Sequence, residues 1–183
     1  MATTQQNISR FYTNILAREF SRDFLARVLS INFAGGATFN EDELVYVKSA
    51  TIPNRTITNV GVNYMGLTFN LPGNATYPGS AGYSLDFYCD ARSNLRNKFI
   101  AESRRTFNDA TSTGDYNVAG VDSIIKLAQL DKDLNSINEY SLVGVSIRDV
   151  GPLSYSIADG SGQAVTFTVQ MAYHYFTESV SNA

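Results

Sequence analysis

Two side-chain types that often perform chemistry occur once each in this chain of 183 residues, as Cys89 and His174. A nucleophilic thiol needs a base such as imidazole within hydrogen-bond reach, and the sequence does not show whether these two residues meet. Cys89 falls on the apolar side of an alternating segment, which favours a buried and inert thiol. One histidine and one cysteine also fall short of the usual nitrogen and sulfur ligands of a zinc site. We therefore expect neither a catalytic pair nor a metal site.

Two short motifs match binding loops only in part. Residues 131–136 read DKDLNS and place oxygen ligands at alternate positions, as a calcium loop begins. Ser136 replaces the glycine that such a loop needs, and Leu142 replaces its bidentate glutamate. Residues 160–165 read GSGQAV but lead into a strand rather than a helix, which excludes a dinucleotide-phosphate cradle. We predict a turn at residues 131–136, no phosphate site at residues 160–165, no cofactor and no enzymatic activity.

Composition indicates one globular domain that is rich in β structure. The hydrophobic fraction is 44%, enough for a sizeable core in a chain of this length. The 11 Tyr, 11 Phe and 13 Gly favour strands and turns. A net charge of -3 argues against a protein that grips nucleic acid by its phosphates. A single cysteine excludes an intrachain disulfide and fits assembly inside a cell, and we expect neither a signal peptide nor membrane insertion.

Hydrophobic periodicity predicts the elements that position these residues. Apolar residues from Ile8 to Phe20 recur at helical spacing, so a short N-terminal helix is expected. A second helix is predicted over residues 92–107, with Asp90 or Ser93 as its N-cap, followed by a loop over residues 108–120. Residues 123–147 fit either a helix or two strands around residues 131–136. Strands are predicted over four segments, residues 24–33, 41–53, 56–73 and 82–91.

The last predicted strand, residues 162–176, alternates cleanly between apolar and polar side chains. The apolar side carries Val165, Phe167, Val169, Met171, Tyr173 and Tyr175. The other side carries Thr166, Thr168, Gln170, Ala172 and His174. We predict that the apolar side packs under the helix of residues 92–107. The polar side carries no formal charge apart from any contribution of His174. This composition raises the question of what the polar side faces.

The second helix carries one basic cluster, made of Arg92, Arg96, Lys98, Arg104 and Arg105. Such a cluster is either a solvated face or a docking surface for an acidic partner. The acidic residues 41–43 are either its complement on a neighbouring copy or the edge of a loop.

The order of these motifs resembles that in tail tube proteins of contractile-tailed bacteriophages, which are related to secretion-system and pyocin-type tube proteins. SIRDVGPLSYSIADGSGQAVTFTVQMAYHYF resembles the family's C-terminal region, and ATIPNRTITNVGVNYMGLTFNLPG resembles its paired long strands. YSLDFYCDARSNLRNKFIAES resembles its strand followed by a helix, and LAQLDKDLNSINEYSLVGV resembles its strand–turn–strand, which favours a hairpin around residues 131–136. The resemblance spans residues 20–176. Ile147 stands where family members often have proline, residues 108–120 look like a loop insertion, and residues 1–20 form a longer N-terminal extension.

The resemblance implies a single tail-tube domain over residues 1–183, of mainly β (α+β) class. Its subunit would be an antiparallel β-barrel or sandwich with one flanking helix and a short N-terminal helix. Hexameric rings would pool their strands into a ring-wide β-barrel and stack into a tube. Expected partners are the tail sheath, baseplate and tail-completion proteins and a tape-measure protein in the lumen, with DNA passing non-specifically. The expected location is the tail of the virion, after assembly in the host cytoplasm.

The resemblance also assigns surfaces. Thr166, Thr168, Gln170 and His174 would face the lumen of the tube. Arg92, Arg96, Arg104 and Arg105 would face the sheath or another partner. Two alternatives are the tube of a phage-like injection or secretion machine and a β-rich ligand-binding module with a concave apolar pocket.

Overall fold

The structure is a computed structural model that describes residues 4–16, 21–77, 82–115, 119–158, 160 and 162–180. Its helices are α1 (Thr4–Leu16), α2 (Glu41–Leu44) and α3 (Asn94–Thr106). Its first six strands are β1 (Ala26–Asn32), β2 (Thr38–Phe39), β3 (Val47–Ala50), β4 (Thr56–Tyr64), β5 (Leu67–Thr76) and β6 (Tyr83–Tyr88). The remaining strands are β7 (Ile124–Leu130), β8 (Ser136–Val143), β9 (Ser146–Val150), β10 (Thr166–Ala172) and β11 (Tyr175–Val180). Residues 1–3 and 17–20 of the predicted extension and residues 116–118 of the predicted insertion lie outside the described residues.

The strands form two antiparallel sheets and a separate hairpin. Sheet 1 has the order β11-β8-β7-β1-β2, sheet 2 has the order β3-β6-β10-β9, and β4 pairs with β5. Apolar side chains from the facing sides of both sheets and from α3 share one buried cluster. This arrangement confirms the predicted fold class, an antiparallel β subunit with one flanking helix and an N-terminal helix.

Aromatic rings join strand β10 to helix α3 in the core. The Phe167 ring stacks on that of Phe87 with centroids 5.5 Å apart, and it meets the Phe99 ring edge-on at 6.4 Å. Phe99 on α3 in turn stacks on Phe39 at 4.4 Å. Phe167, Val169 and their apolar neighbours on β10 are buried. The prediction that this side packs under the helix is therefore confirmed.

The final strand is shorter than predicted, because the chain changes sheets at its end. Strand β10 ends at Ala172, and β11 then begins at Tyr175 beside β8 of sheet 1. The His174 amide donates to the Val143 carbonyl at this corner. Gly144, with a φ of 73°, leaves room for the His174 ring, which a β-carbon there would overlap. Tyr175 is 41% exposed and does not share the buried side of β10, so its assignment to the apolar side was wrong.

Two predicted strands are divided in the structure. Residues 41–53 begin with helix α2, where the Asn40 amide donates to the Glu43 carboxylate at 2.8 Å, and strand β3 starts only at Val47. Residues 56–73 were predicted as one strand but fold back at Met65 and Gly66. Both turn residues have positive φ, 49° and 80°, as a two-residue hairpin turn requires. The resemblance to paired long strands is thus confirmed, and the single-strand prediction is wrong.

The two local structures around acidic side chains agree with the predicted turns and caps. Asp131 accepts hydrogen bonds from the amides of Asp133 and Asn135, which closes the β7–β8 hairpin and confirms the strand–turn–strand interpretation. Asp90 accepts from the amides of Asn94 and Leu95 at the start of α3. Burial alone would raise the pKa of Asp90, but these amide donors lower it below its ordinary value. Asp90 is therefore the side chain that caps this helix.

Candidate assembly surfaces

The β4–β5 hairpin exposes an apolar face that nothing in the described chain covers. Its strands pair so that Val60 meets Leu71, Val62 meets Phe69 and Tyr64 meets Leu67. Side chains directly opposite each other in a sheet point to the same face. These six residues are between 44% and 64% exposed, and Met65 at the turn is 87% exposed. We call these six residues the hairpin apolar face.

The opposite face of the hairpin is polar, and neither strand has a further neighbour among the described residues. Asn63 accepts a hydrogen bond from the Thr68 hydroxyl at 2.8 Å, and Gly61 lies opposite Asn70. Among the described residues no third strand pairs with β4 or β5. A two-stranded hairpin is marginally stable alone in water, and a large exposed apolar patch usually marks an interaction site. The hairpin therefore has the properties of a contact surface for another molecule.

Helix α1 exposes a second apolar stripe. Ile8, Phe11 and Tyr12 are between 52% and 62% exposed, and the three follow helical spacing. Ile15, one turn further on, is half-buried. From the sequence, this helix and the hydrophilic loops are expected to supply contacts between rings and to the sheath.

The polar face of sheet 2 contains the side chains that were predicted to line a channel. Thr166 and Thr168 are half-buried there, and Gln170 is exposed. The Thr168 hydroxyl donates to Asp86 on β6 at 2.5 Å, and the Ser49 hydroxyl donates to the same carboxylate at 2.7 Å. These two hydrogen bonds, with Thr168 contributing most, lower the pKa of Asp86 below its ordinary value. Asp86 is therefore held ionised on this face.

The strands that neighbour β10 carry charged side chains on the polar face of sheet 2, in addition to the uncharged ones of β10. Asp149 on β9 pairs with Gln170, so its side chain shares the polar face. The Lys48 ammonium on β3 lies 6.0 Å from the centroid of the Tyr88 ring, which is exposed on β6. Sequence analysis missed Asp86, Asp149 and Lys48, because the pairing of distant strands is not readable from local periodicity. The alternation of Tyr83 to Tyr88 did contain the signal for β6.

His174 occupies a different place from the three other predicted lumen residues. It lies at the corner between β10 and β11, beyond the end of the strand that carries Thr166, Thr168 and Gln170. Its Nε2 atom lies 3.1 Å from the Ala119 carbonyl oxygen, and its ring covers Gly144. The structure thus brings three of these residues together on sheet 2 and gives His174 a role in forming the corner.

Within the described residues, both outer strands of sheet 2 have an unpaired edge. Strand β3 pairs only with β6, and β9 pairs only with β10, within the part of the chain that the structure describes. Each of the three pairings in the sheet is antiparallel. Unpaired edges readily accept a strand from another chain, and natural proteins cover them.

The basic cluster of α3 divides into exposed and internally bonded residues. Arg92 and Arg104 are exposed. The Arg96 Nε atom donates to the Gly151 carbonyl at 3.1 Å. Arg105 forms an ion pair with Glu102 and also donates to the Ala34 carbonyl. Only part of the cluster is therefore available to a partner.

Two carboxylates explain why this helix is fixed to the strands beside it. Glu102 is 5% exposed and accepts from the Ala37 amide at 3.0 Å as well as from Arg105. Glu43, from the acidic segment of residues 41–43, forms an ion pair with Lys98 at 2.7 Å. This pairing within the chain uses one of the acidic residues that were considered as a complement on a neighbouring copy.

A groove of about 550 Å³ lies between the first half of β1 and strand β3. Its lining mixes apolar residues such as Phe24, Leu29 and Leu44 with the charged residues Asp23 and Arg27. No cluster of His, Cys, Asp and Glu that could hold a metal ion occurs among the described residues. In the same residues, no helix has the length and apolarity needed to cross a membrane.

Comparison with known proteins links this fold to contractile injection particles. No protein-family model matches the chain, and no curated relative matches its sequence. A chain in the six-fold symmetrised baseplate of the anti-feeding prophage has a TM-score of 0.65 at 14% identity, covering 91% of this chain and 99% of that one. The tube-terminating cap of the same prophage gives 0.62 at 10% identity, covering 90% and 93%. The extended PVC sheath–tube complex, from an extracellular contractile injection system, gives 0.58 at 7% identity, covering 98% and 99%. These likenesses establish a shared fold over almost the whole chain.

Proposed function

We propose that the protein is the major subunit of a phage tail tube, in which hexameric rings stack around a channel for the genome. The observation that carries this proposal is the hairpin apolar face, which no other part of the described chain covers. The shared fold with chains of tube, cap and baseplate assemblies supports the same conclusion. The protein acts through assembly, and we propose no enzymatic activity.

The free edges of sheet 2 supply a way to close a ring. Neighbouring strands run in opposite directions, so β9 of one copy meets β3 of the next copy in antiparallel orientation. A heterologous contact of this kind closes when the rotation between subunits allows it. Four strands from each of six copies give a barrel of 24 strands. With strands ~4.8 Å apart and tilted by ~40°, its backbone diameter is about 48 Å.

The polar face of sheet 2 lines the channel in this arrangement. Thr166, Thr168 and Gln170 then face the lumen, with Asp86 and Asp149 beside them. His174 lies at the end of this surface, at the corner after β10. A conduit for DNA should not bind its cargo tightly, and carboxylates on this face oppose phosphate binding. The tape-measure protein would occupy the same lumen before the genome passes.

The other side of sheet 2 is covered by α3 and sheet 1, which places these elements on the outside of the tube. Arg92 and Arg104 are exposed there and are the residues that we expect to contact the sheath. Arg96 and Arg105 orient neighbouring loops through their bonds to Gly151 and Ala34. Baseplate and tail-completion proteins would bind the ends of the tube in the virion tail, which assembles in the host cytoplasm.

Electron microscopy of the purified protein tests the proposal. Rings or tubes are expected for the native chain, and Val62→Ser with Phe69→Ser should disrupt them by removing apolar contacts. Asn63→Ser with Asn70→Ser changes the opposite face of the same strands and should leave assembly intact. A protein that stays monomeric at high concentration and with its baseplate present would refute the proposal.

The tube of an injection machine is the second candidate, because the PVC structure with this fold belongs to an extracellular contractile injection system. The two functions differ in the cargo of the lumen. Particles purified with the native tube would contain DNA in the first case and protein in the second.

A further inference from the structure

We infer that helix α1 of one copy packs on the hairpin apolar face of a second copy in the adjacent ring. The inference rests on the proposed function, since it identifies what covers the hairpin when rings stack. One contact surface is the α1 stripe, formed by Ile8, Phe11, Tyr12 and Ile15. The other is the hairpin apolar face of β4 and β5.

The two surfaces match in chemistry and size. Residues 56–76 contain no charged side chain, and Arg10 is the only charged residue in the sequence of α1. A helix of 13 residues is about 20 Å long, and the apolar part of the hairpin, five residues per strand, is about 17 Å long. Packing a helix on one face of a sheet is a standard way to bury both apolar surfaces.

The positions of the two elements in the topology favour contact between copies. The hairpin is inserted between β3 and β6 of sheet 2, and β6 begins at Tyr83. Just after the hairpin, the ring centroids of Tyr77 and Phe176 lie 5.7 Å apart. Phe176 is the second residue of β11, and it aligns with Leu142 of β8, which aligns with Ile125 of β7 and then Ile31 of β1. Ile31 lies near the C-terminal end of β1, whereas α1 precedes the N-terminal end of β1 in the sequence. Two different, complementary surfaces on one subunit produce head-to-tail contacts, which propagate as an open stack.

The buried area explains why this contact needs a ring. Three side chains on α1 and six on the hairpin are each about half exposed. At roughly 90 Å² apiece, one contact would bury about 800 Å². A stable interface between two proteins buries at least about 1,200 Å², so one contact is too small alone. Six copies of the contact between two rings, roughly 4,800 Å² in total, exceed that limit.

A membrane is a poorer occupant for the α1 stripe. Helices that lie in a membrane surface carry many Lys and Arg residues on their polar face. Helix α1 has only Arg10, and its described neighbours Ser9 and Thr13 are uncharged. An uncharged interface also implies that stacking should change little between low and high salt.

Disulfide trapping between copies tests the inference in the full-length chain. In a Cys89→Ser background, Phe11→Cys and Phe69→Cys are made in separate chains and mixed under oxidising conditions before and after assembly. A disulfide-linked dimer of the two chains is expected in assembled samples at several times the yield from either variant alone. Asn63→Cys on the opposite hairpin face is the matched control, and it should give no more dimer with Phe11→Cys than in unassembled samples.

The outcomes separate this inference from the proposed function. Tubes seen by electron microscopy without the Phe11–Phe69 link, or with an equal Phe11–Asn63 link, would overturn the inference and leave the tube function standing. A chain with both substitutions that forms an internal disulfide at high dilution would show that α1 covers its own hairpin, and would also overturn it. Absence of rings in the native protein would overturn both. If α1 bound vesicles of neutral lipid and formed no link to the hairpin in the assembled protein, the inference would also be refuted.

Discussion

Replacing Phe167 by Ala should destabilise the subunit strongly, because the ring fills the centre of the core. Phe167 is 3% exposed and lies between the rings of Phe87 and Phe99, with centroids at 5.5 Å and 6.4 Å. Truncating a buried phenylalanine costs about 3–5 kcal/mol, because contacts are lost and a cavity remains. A domain of this kind has a total free energy of unfolding of about 5–15 kcal/mol. The substitution therefore removes a large share of the stability.

The effect is measured by thermal unfolding of the unassembled subunit at low concentration, since assembly would add stability of its own. At about 2–4 °C per kcal/mol, the midpoint should fall by roughly 6–20 °C. Thr168→Ala is the control one residue further along the same strand. It loses a hydrogen bond to the ionised Asp86 carboxylate worth about 1.5–3 kcal/mol, and its midpoint should fall by a smaller amount, about 3–12 °C.

The comparison depends on the alternation of β10, which places the two residues on opposite faces of the sheet. If Thr168→Ala lowered the midpoint as much as Phe167→Ala, the assignment of the two faces would be wrong. The assignment of the polar face to the channel depends on the same alternation, so this experiment also tests its premise.

Three further experiments test separate features. Glu102→Ala leaves the Arg105 side chain without its buried partner and should cost roughly 3 kcal/mol in denaturant unfolding, whereas Asp109→Ala, at an exposed pair, should cost about 0–1 kcal/mol. Asp90→Asn should remove an acid-sensitive contribution to stability. Because the pKa of Asp90 is lowered in the folded state, this carboxylate stabilises the native chain above the ordinary carboxyl pKa, and the stabilisation is lost as pH falls through the folded-state pKa. Thermal unfolding of both proteins over a range of pH measures this difference. Thr168→Lys should keep the fold, because the ammonium can pair with the carboxylate that Thr168 now contacts. In the proposed hexameric tail tube, six added ammonium groups should slow DNA passage, measured as reduced infectivity with normal tube yield.

Features that depend on local periodicity were predictable from the sequence. The alternation from Val165 to Met171 revealed which side of β10 is buried, and the period of helix α3 revealed its place next to that side. The hairpin of residues 124–143 remained ambiguous from periodicity, because short apolar runs fit both a helix and a strand. The order of motifs in the resembling family resolved it.

Features that depend on a distant partner were not predictable, whereas one turn left a signal that the single-strand prediction did not use. The apolar positions are even-numbered in β4 (Val60, Val62, Tyr64) and odd-numbered in β5 (Leu67, Phe69, Leu71), so the period of two breaks at the turn of Met65 and Gly66. The corner at His174 depends on Gly144, thirty residues earlier, whose missing side chain leaves room for the imidazole. Register between strands is likewise non-local, which is why the charges of Asp86 and Asp149 beside β10 were missed.

The structure separates the residues that stabilise the subunit from those available for assembly. The core rings and the Glu102 carboxylate hold sheet 1, sheet 2 and α3 together, and none of them reaches the hairpin. The hairpin apolar face contributes little to the stability of one chain, because its side chains stay about half exposed. Apolar side chains that a single chain does not bury gain their stabilisation only when another molecule covers them. Substitutions on this face should therefore change the concentration needed for assembly while the melting temperature of the isolated subunit stays nearly constant, and a large fall in that temperature would place the hairpin within the subunit core instead.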